Sequence, residues 1–263
     1  MKVPVTAGFP FGELRDCSIS YIVKASNKPV PISNRYGFKI VIGLDGTFDS
    51  EINGRVYKGI RGFVIDRNVN HFCHCGGVSM FVSLIEPKSR WGQSFKALLA
   101  GNDFLDIEEL LPGEEIDAIL PLRFQELGRD ALAERVQAFF LRIFRNNADT
   151  QLINMDSRVS EVLLYIDRNL AKNIELAEVA NLVHLSPHRF RHLFAEQIGM
   201  PFTQYIIWQR LRKSIYAVAS GQMTLGNTVE NFGFTDQAHF SNTFKKMFGV
   251  FPRVFLHTCY VIC

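Results

Sequence analysis

Six side chains in the last third of the chain are of the types that bond to base edges. They fall in two groups at helical spacing: His188, Arg191 and His192, then Gln237, Ser241 and Asn242. An arginine fork matches the two acceptors on the major-groove edge of guanine, a glutamine or asparagine amide matches adenine, and serine is permissive. The histidines donate to bases or phosphates, more strongly when protonated. Lys245, Lys246 and Arg212 suit the sugar-phosphate backbone, which fixes register without reading sequence.

A second constellation, His71, Cys73 and Cys75, alternates along a β-run, so the three side chains share one face and His74 points the other way. Soft ligands in that arrangement suit zinc or copper(I), or an oxidation sensor. The spacing is not that of zinc motifs and no fourth ligand is evident, so small buried hydrophobes in a sheet wall are the simpler reading and no metal site is assigned. Nothing catalytic is found. The chain has no glycine loop for phosphate and no GxSxG elbow, so neither an enzymatic activity nor a cofactor is expected.

The base-reading groups need rigid supports, and the sequence writes the same support twice. Leu176, Val179, Ala180 and Val183 lie on one face of a short helix; His184 and Leu185 turn the chain; Ser186 caps a second helix that has Pro187 at its first position. Phe190, Leu193 and Phe194 point back at the first helix, leaving His188, Arg191, His192 and Ala195 outward. In the second copy Leu225, Thr228, Val229 and Phe232 form the first helix and Asp236 is the cap. Phe240, Thr243 and Phe244 point inward, and Gln237, Ala238, Ser241 and Asn242 outward. Its turn is one residue longer, with Gly233 able to take a positive φ. Between the copies, residues 202–220 make one helix striped by Tyr205, Trp208, Leu211, Ile215 and Val218. Such a rod would hold two recognition helices in successive major grooves.

These motifs resemble the DNA-binding domain of the AraC/XylS family of transcription regulators. The matching elements are LAEVA, LSPHRFRHLF, IGMPFTQY, Arg210, GFTDQAHFSNTFKKMFG, and the closing Pro252 and Phe255, over roughly the last hundred residues. The resemblance implies a sequence-specific regulator acting on double-stranded DNA, with RNA polymerase a further partner. It also implies an amino-terminal cupin-like barrel that takes an effector and forms a homodimer. The second unit departs from the family pattern at Gly226, Asn227, Thr228 and Val229, which are poorer helix formers, and Asn242 stands where arginine is common. Tighter reading is therefore expected under His188, Arg191 and His192. Arg210 is expected to be a structural partner for an acid rather than a DNA contact.

Composition agrees. The chain has 263 residues, room for two domains. From residue 151 onward there are eleven Lys and Arg against eight Asp and Glu, whereas the first 150 residues carry eighteen of each. That half also holds five of the seven histidines. A basic bias on one domain suits phosphate binding. No apolar run spans a bilayer and the start is not a signal peptide, so a cytoplasmic protein with no membrane partner is expected.

The expected fold class is α+β: a cupin-like barrel with dimerisation helices over residues 1–150, and an all-α pair of helix-turn-helix units joined by a linker helix over residues 151–263. After an irregular arm, VPVTAGFPFGEL, β-runs are split by Asp45-Gly46, Asn53-Gly54 and Gly76-Gly77, each read as a hairpin turn of a small barrel or jelly roll. The acidic stretch DFLDIEELLPGEEID reads as solvated surface. In the following helix Leu132, Val136, Phe139, Phe140, Ile143 and Phe144 form a broad stripe, suited either to its own barrel or to a dimer partner. NNADTQ reads as the linker, with a supporting helix over residues 156–170. Two other modes of control fit the same chain: a redox or metal sensor using Cys73 and Cys75, or control by a protein partner.

Overall fold

A computed structural model describes residues 19–23, 30–31, 37–120, 126–144 and 155–262. The amino-terminal arm with Phe9 and Phe11, and the NNADTQ linker, lie outside the described residues.

The first half is built from two antiparallel sheets. The larger contains β1 (Ile19–Val23), β3 (Phe38–Gly43), β6 (Gly62–Ile65), β8 (Met80–Ile85), β9 (Phe104–Asp106) and a final strand from the far end of the chain, β10 (Cys259–Val261), in the order β10-β1-β8-β3-β6-β9. The smaller contains β2 (Val30–Pro31), β4 (Phe48–Ile52), β5 (Arg55–Ile60) and β7 (His71–His74), in the order β2-β7-β4-β5. Strands β3 and β8 are buried along their whole length, which is why they read as mainly apolar runs, broken by Lys39 and Ser83, rather than as alternation. Phe63 meets Phe48 and His71 across the gap between the sheets, so the inner faces share one core. The sheets face one another as a sandwich, rather than closing as one barrel.

Of the three turn pairs, only Asn53-Gly54 closes a hairpin. Both residues are left-handed, at φ 49° and 76°, and Ile52 pairs with Arg55. Asp45-Gly46 and Gly76-Gly77 instead carry the chain from one sheet to the other, because β3 and β8 lie in the larger sheet while β4 and β7 lie in the smaller.

The outer face of the larger sheet is covered by α1 (Arg90–Leu99), α2 (Gly113–Ile119) and α3 (Arg129–Ile143). The acidic stretch is not wholly surface: it supplies edge strand β9, and Ile107, Leu111 and Ile116 reach the core while its carboxylates stay outside. All six apolar residues of the α3 stripe are buried against Trp91, Phe95 and Phe81 of the same chain. The stripe is therefore used within its own domain, and the expectation of a dimer face there does not fit.

The second half contains α4 (Ser157–Asn169), α5 (Leu176–Leu182), α6 (Pro187–Ile198), α7 (Phe202–Ala219), α8 (Leu225–Asn231), α9 (Gln237–Phe248) and α10 (Pro252–Thr258). Asp156 caps α4, its carboxylate accepting from the Arg158 amide. No helix among the described residues is long and apolar enough to cross a membrane.

Candidate nucleic-acid interface

Helices α5 and α6 form the first helix-turn-helix. Val179, Ala180, Phe190 and Phe194 fill the angle between them. His184 takes φ 54°, letting the Leu185 amide donate to the Ala180 carbonyl at 2.9 Å. The Ser186 hydroxyl accepts from the Arg189 amide, and left-handed Gly199 ends α6.

Helices α8 and α9 repeat this. The Phe234 amide donates to the Val229 carbonyl at 3.2 Å, Asp236 accepts from the His239 amide at 2.7 Å, and Gly249 ends α9. Gly233, at φ 74°, holds the left-handed place that His184 holds in the first copy; the extra residue is Thr235, after it. Glycine is needed at 233 for a second reason: a Cβ there would lie 2.5 Å from the Leu170 carbonyl oxygen and 2.8 Å from the Arg210 guanidinium.

Arg210 explains that crowding. Its Nε and Nη2 donate to the carbonyls of Leu170 and Lys172, at 3.0 and 2.7 Å, just past α4. It is structural, but it serves helix-end carbonyls rather than an acid. Lys213 adds an ion pair with Asp167 on α4. The linker helix is thus fastened to the first unit at two places, next to the turn of the second.

The outward groups occupy two similar positions. His188, Arg191 and His192 are exposed on α6, and the two imidazoles lie 4.6 Å apart centre to centre. On α9, Gln237, Asn242, Lys245 and Lys246 are exposed and Ser241 is half-buried. The Lys245 ammonium sits 4.5 Å above the Phe251 ring, which ties that cation to the helix end.

Arg212 departs from expectation. It is buried, and its Nη1 lies 3.6 Å from Glu86 Oε1 of the sandwich. The same carboxylate oxygen accepts from Trp208 Nε1 at 2.7 Å and Gln209 Nε2 at 3.2 Å. Burial raises the Glu86 pKa, while Arg212 and the two donors oppose that rise. Arg212 sits one helical turn after Trp208, on the side of α7 that faces the sandwich, and so is turned away from any phosphate. This inter-domain cluster was missed in the sequence; the one local signal was the i, i+4 relation of a charge to the apolar stripe.

The His71–Cys73–Cys75 face points inward, with all three residues buried. His71 bonds Lys39 and the Val69 carbonyl, each at 3.0 Å, and burial pushes the Cys73 thiol up to about 12. A thiol held protonated is a poor nucleophile and a poor ligand, which weighs against the sensor alternative. Among the described residues no three or more His, Cys, Asp or Glu side chains gather closely enough to hold a metal ion.

Comparison with known proteins supplies the context. The family described as "Helix-turn-helix domain" matches residues 179–258. The arabinose operon regulatory protein of Escherichia coli K12 is 38% identical over 106 residues, 40% of this chain and 36% of that protein. Regulatory protein PocR of Salmonella typhimurium is 28% identical over 100 residues, 38% of this chain and 33% of that protein. The matching part thus spans about a third of the length of these relatives. Across the whole chain the fold is like that of ToxT from Vibrio cholerae O395, with TM-score 0.57 and 16% identity over 93% of this chain and 98% of that one. A ToxT structure described as unsaturated fatty acid bound gives TM-score 0.55 at 16% identity, covering 92% of this chain and 95% of that one. At such identity the likeness is one of fold alone. With its duplicated, capped helix-turn-helix and a linker helix fastened between the copies, residues 179–258 belong to the helix-turn-helix domain family, and this part of the chain is similar to the matching part of the arabinose operon regulatory protein.

Proposed function

We propose that the chain reads two neighbouring DNA half-sites, one under each unit, and that its sandwich controls that reading. The observation that carries this is the repetition of one exposed polar face on two capped helices of equal construction, α6 and α9. In this reading Arg191 contacts a guanine, Gln237 and Asn242 contact adenines, and Ser241 either base. His188 and His192 bond bases or phosphates, and Lys245 and Lys246 hold the backbone. The division into a regulatory part, residues 1–150, and a DNA-binding part, residues 151–263, follows, except that β10 returns to the regulatory sheet. Lys39 and His71 are buried polar groups on the inner wall of the sandwich. They make an acidic small molecule the favoured class of effector, in keeping with the fatty acid in the like-folded ToxT structure.

A footprint on the gene's own upstream DNA, with and without cell extract and at several salt concentrations, tests the reading. Two protected segments about one helical turn apart are expected; absence of protection at low salt overturns it. Arg191→Ala should cost about 1–3 kcal/mol at a single base position. Lys246→Ala should weaken all sequences alike and lower the slope of log affinity against log salt by about one. Equal base dependence for the two variants would remove Arg191 from the reading face.

A further inference from the structure

The two units stand in different relations to the sandwich. The first has a core of its own, in which Val159, Val162, Ile166, Phe190 and Phe194 are joined by Phe202 and Ile206 from the start of α7. The second has none: Phe232, Phe240, Phe244 and Phe248 share one continuous core with Trp208, Leu211 and Ile215 of α7 and with Tyr21, Val41, Phe63 and Val82 of the larger sheet. Tyr21 on β1 meets Phe255 edge-on at 4.8 Å and Phe248 at 6.4 Å.

Beyond α10 the chain enters the sheet itself. Strand β10 pairs antiparallel with β1, setting Tyr21 opposite Val261, Ile22 opposite Tyr260 and Val23 opposite Cys259; the Ile262 amide then donates to the Ser20 carbonyl at 2.8 Å. At the other end of the contact, Glu86 holds Trp208, Gln209 and Arg212 of α7, while Arg67 donates to the Gly199 carbonyl of the first unit at 3.0 Å. These fastenings are of the kind that open locally. An edge strand of three residues has few ladder bonds, and the buried Arg212 Nη1 has no hydrogen-bond partner among the described residues. Helix α8, with Gly226 and Asn227 in its first turn, has little helical stability of its own and depends on packing.

We propose that strand β10, the shared core and the Glu86 cluster couple the sandwich more tightly to the second unit than Arg67 couples it to the first, so that a change in the sandwich reaches DNA chiefly through the half-site under α9. The coupling rests on the proposed reading of DNA by both units. Its structural part can be tested without any DNA.

The experiment is hydrogen exchange on the 263-residue chain, compared with a chain ending at Thr258 and with Glu86→Gln, followed by footprinting of all three. In the shortened chain, amides of β1 and of α8, α9 and α10 should exchange about tenfold faster or more, with α5 and α6 unchanged. Glu86→Gln should show the same regional pattern at a smaller amplitude, which covers the case that the shortened chain folds poorly. In footprints, protection under α9 should weaken with the half-site under α6 held. Equal acceleration in both units, or none in α8 to α10 for either variant, overturns the coupling. An unaltered protein that protects no DNA defeats the proposed function instead, and leaves the exchange result to decide the coupling.

Discussion

Phe244→Ala is expected to lower the free energy of unfolding by about 3–5 kcal/mol, the usual range for emptying a buried phenylalanine site. Phe244 is 1% exposed and its ring lies 5.9, 4.5 and 5.3 Å from those of Phe240, Phe248 and Phe255. The rings around it are held by α10 and β1, so the cavity has little freedom to collapse. Native domains are stable by only about 5–15 kcal/mol, so one such loss removes a large share of the total. The place where the loss is felt is as informative as its size. Because Phe244 shares its core with Tyr21 and Val82, urea unfolding followed by exchange should show the larger sheet loosening together with α8 and α9. Phe194→Ala, of similar cost, should loosen α4 to α6 and leave the sheet intact, since its core is separate. A loss under about 1 kcal/mol for Phe244→Ala would mean that the site closes over and that the shared core is slack.

The contrast between these two positions was only half legible in the sequence. Both helix-turn-helix units could be read because every signal in them is local: apolar residues three and four apart, a capping side chain, a left-handed turn, a terminal glycine. Ser186 and Asp236 are the caps that the spacing predicts, and Gly233 takes the positive φ expected of it. What joins the units to the sandwich could not be read, because it depends on partners distant in the chain. Strand β10 has three residues, too few for any period to show. The counter-ion of Arg212 is a glutamate at the end of β8, and a helical pattern says which face a charge occupies but not what lies opposite. The same limit explains the two misread turns. A dipeptide such as Asp45-Gly46 dictates φ and ψ over two residues, whereas the choice between returning along the same sheet and crossing to the other is made by the packing of the strands beyond it. Asn53-Gly54 matched expectation because a two-residue loop in that conformation leaves adjacent antiparallel pairing as the natural continuation. The α3 stripe shows the converse: six apolar positions were plain in the sequence, but only the placement of Trp91 and Phe95 identifies their partner as intramolecular.

Lys39→Met is expected to stabilise the protein at neutral and mildly acidic pH, and to do so less as pH rises. Lys39 is fully buried on the inner wall of the sandwich. The imidazole beside it is neutral: His71 Nδ1 donates to the Val69 carbonyl, which leaves Nε2 to accept from the Lys39 Nζ, and burial with the adjacent ammonium pushes the His71 pKa down to about 3. Burial likewise lowers Lys39 from 10.5 to about 7. Below about pH 7 both the folded and the unfolded chain hold the lysine proton, and the cost of the buried cation is borne in full. Between about 7 and 10.5 the unfolded chain binds the proton and the folded one does not. Stability then rises with pH, by at most about 1.4 kcal/mol per unit from this group. The methionine variant lacks that dependence. In paired urea titrations at pH 6, 7, 8.5 and 9.5, the variant should therefore lead by on the order of a few kcal/mol at the acid end, and the gap should close toward the alkaline end. A gap of constant size would show that packing alone distinguishes the two side chains and that Lys39 titrates as if in water.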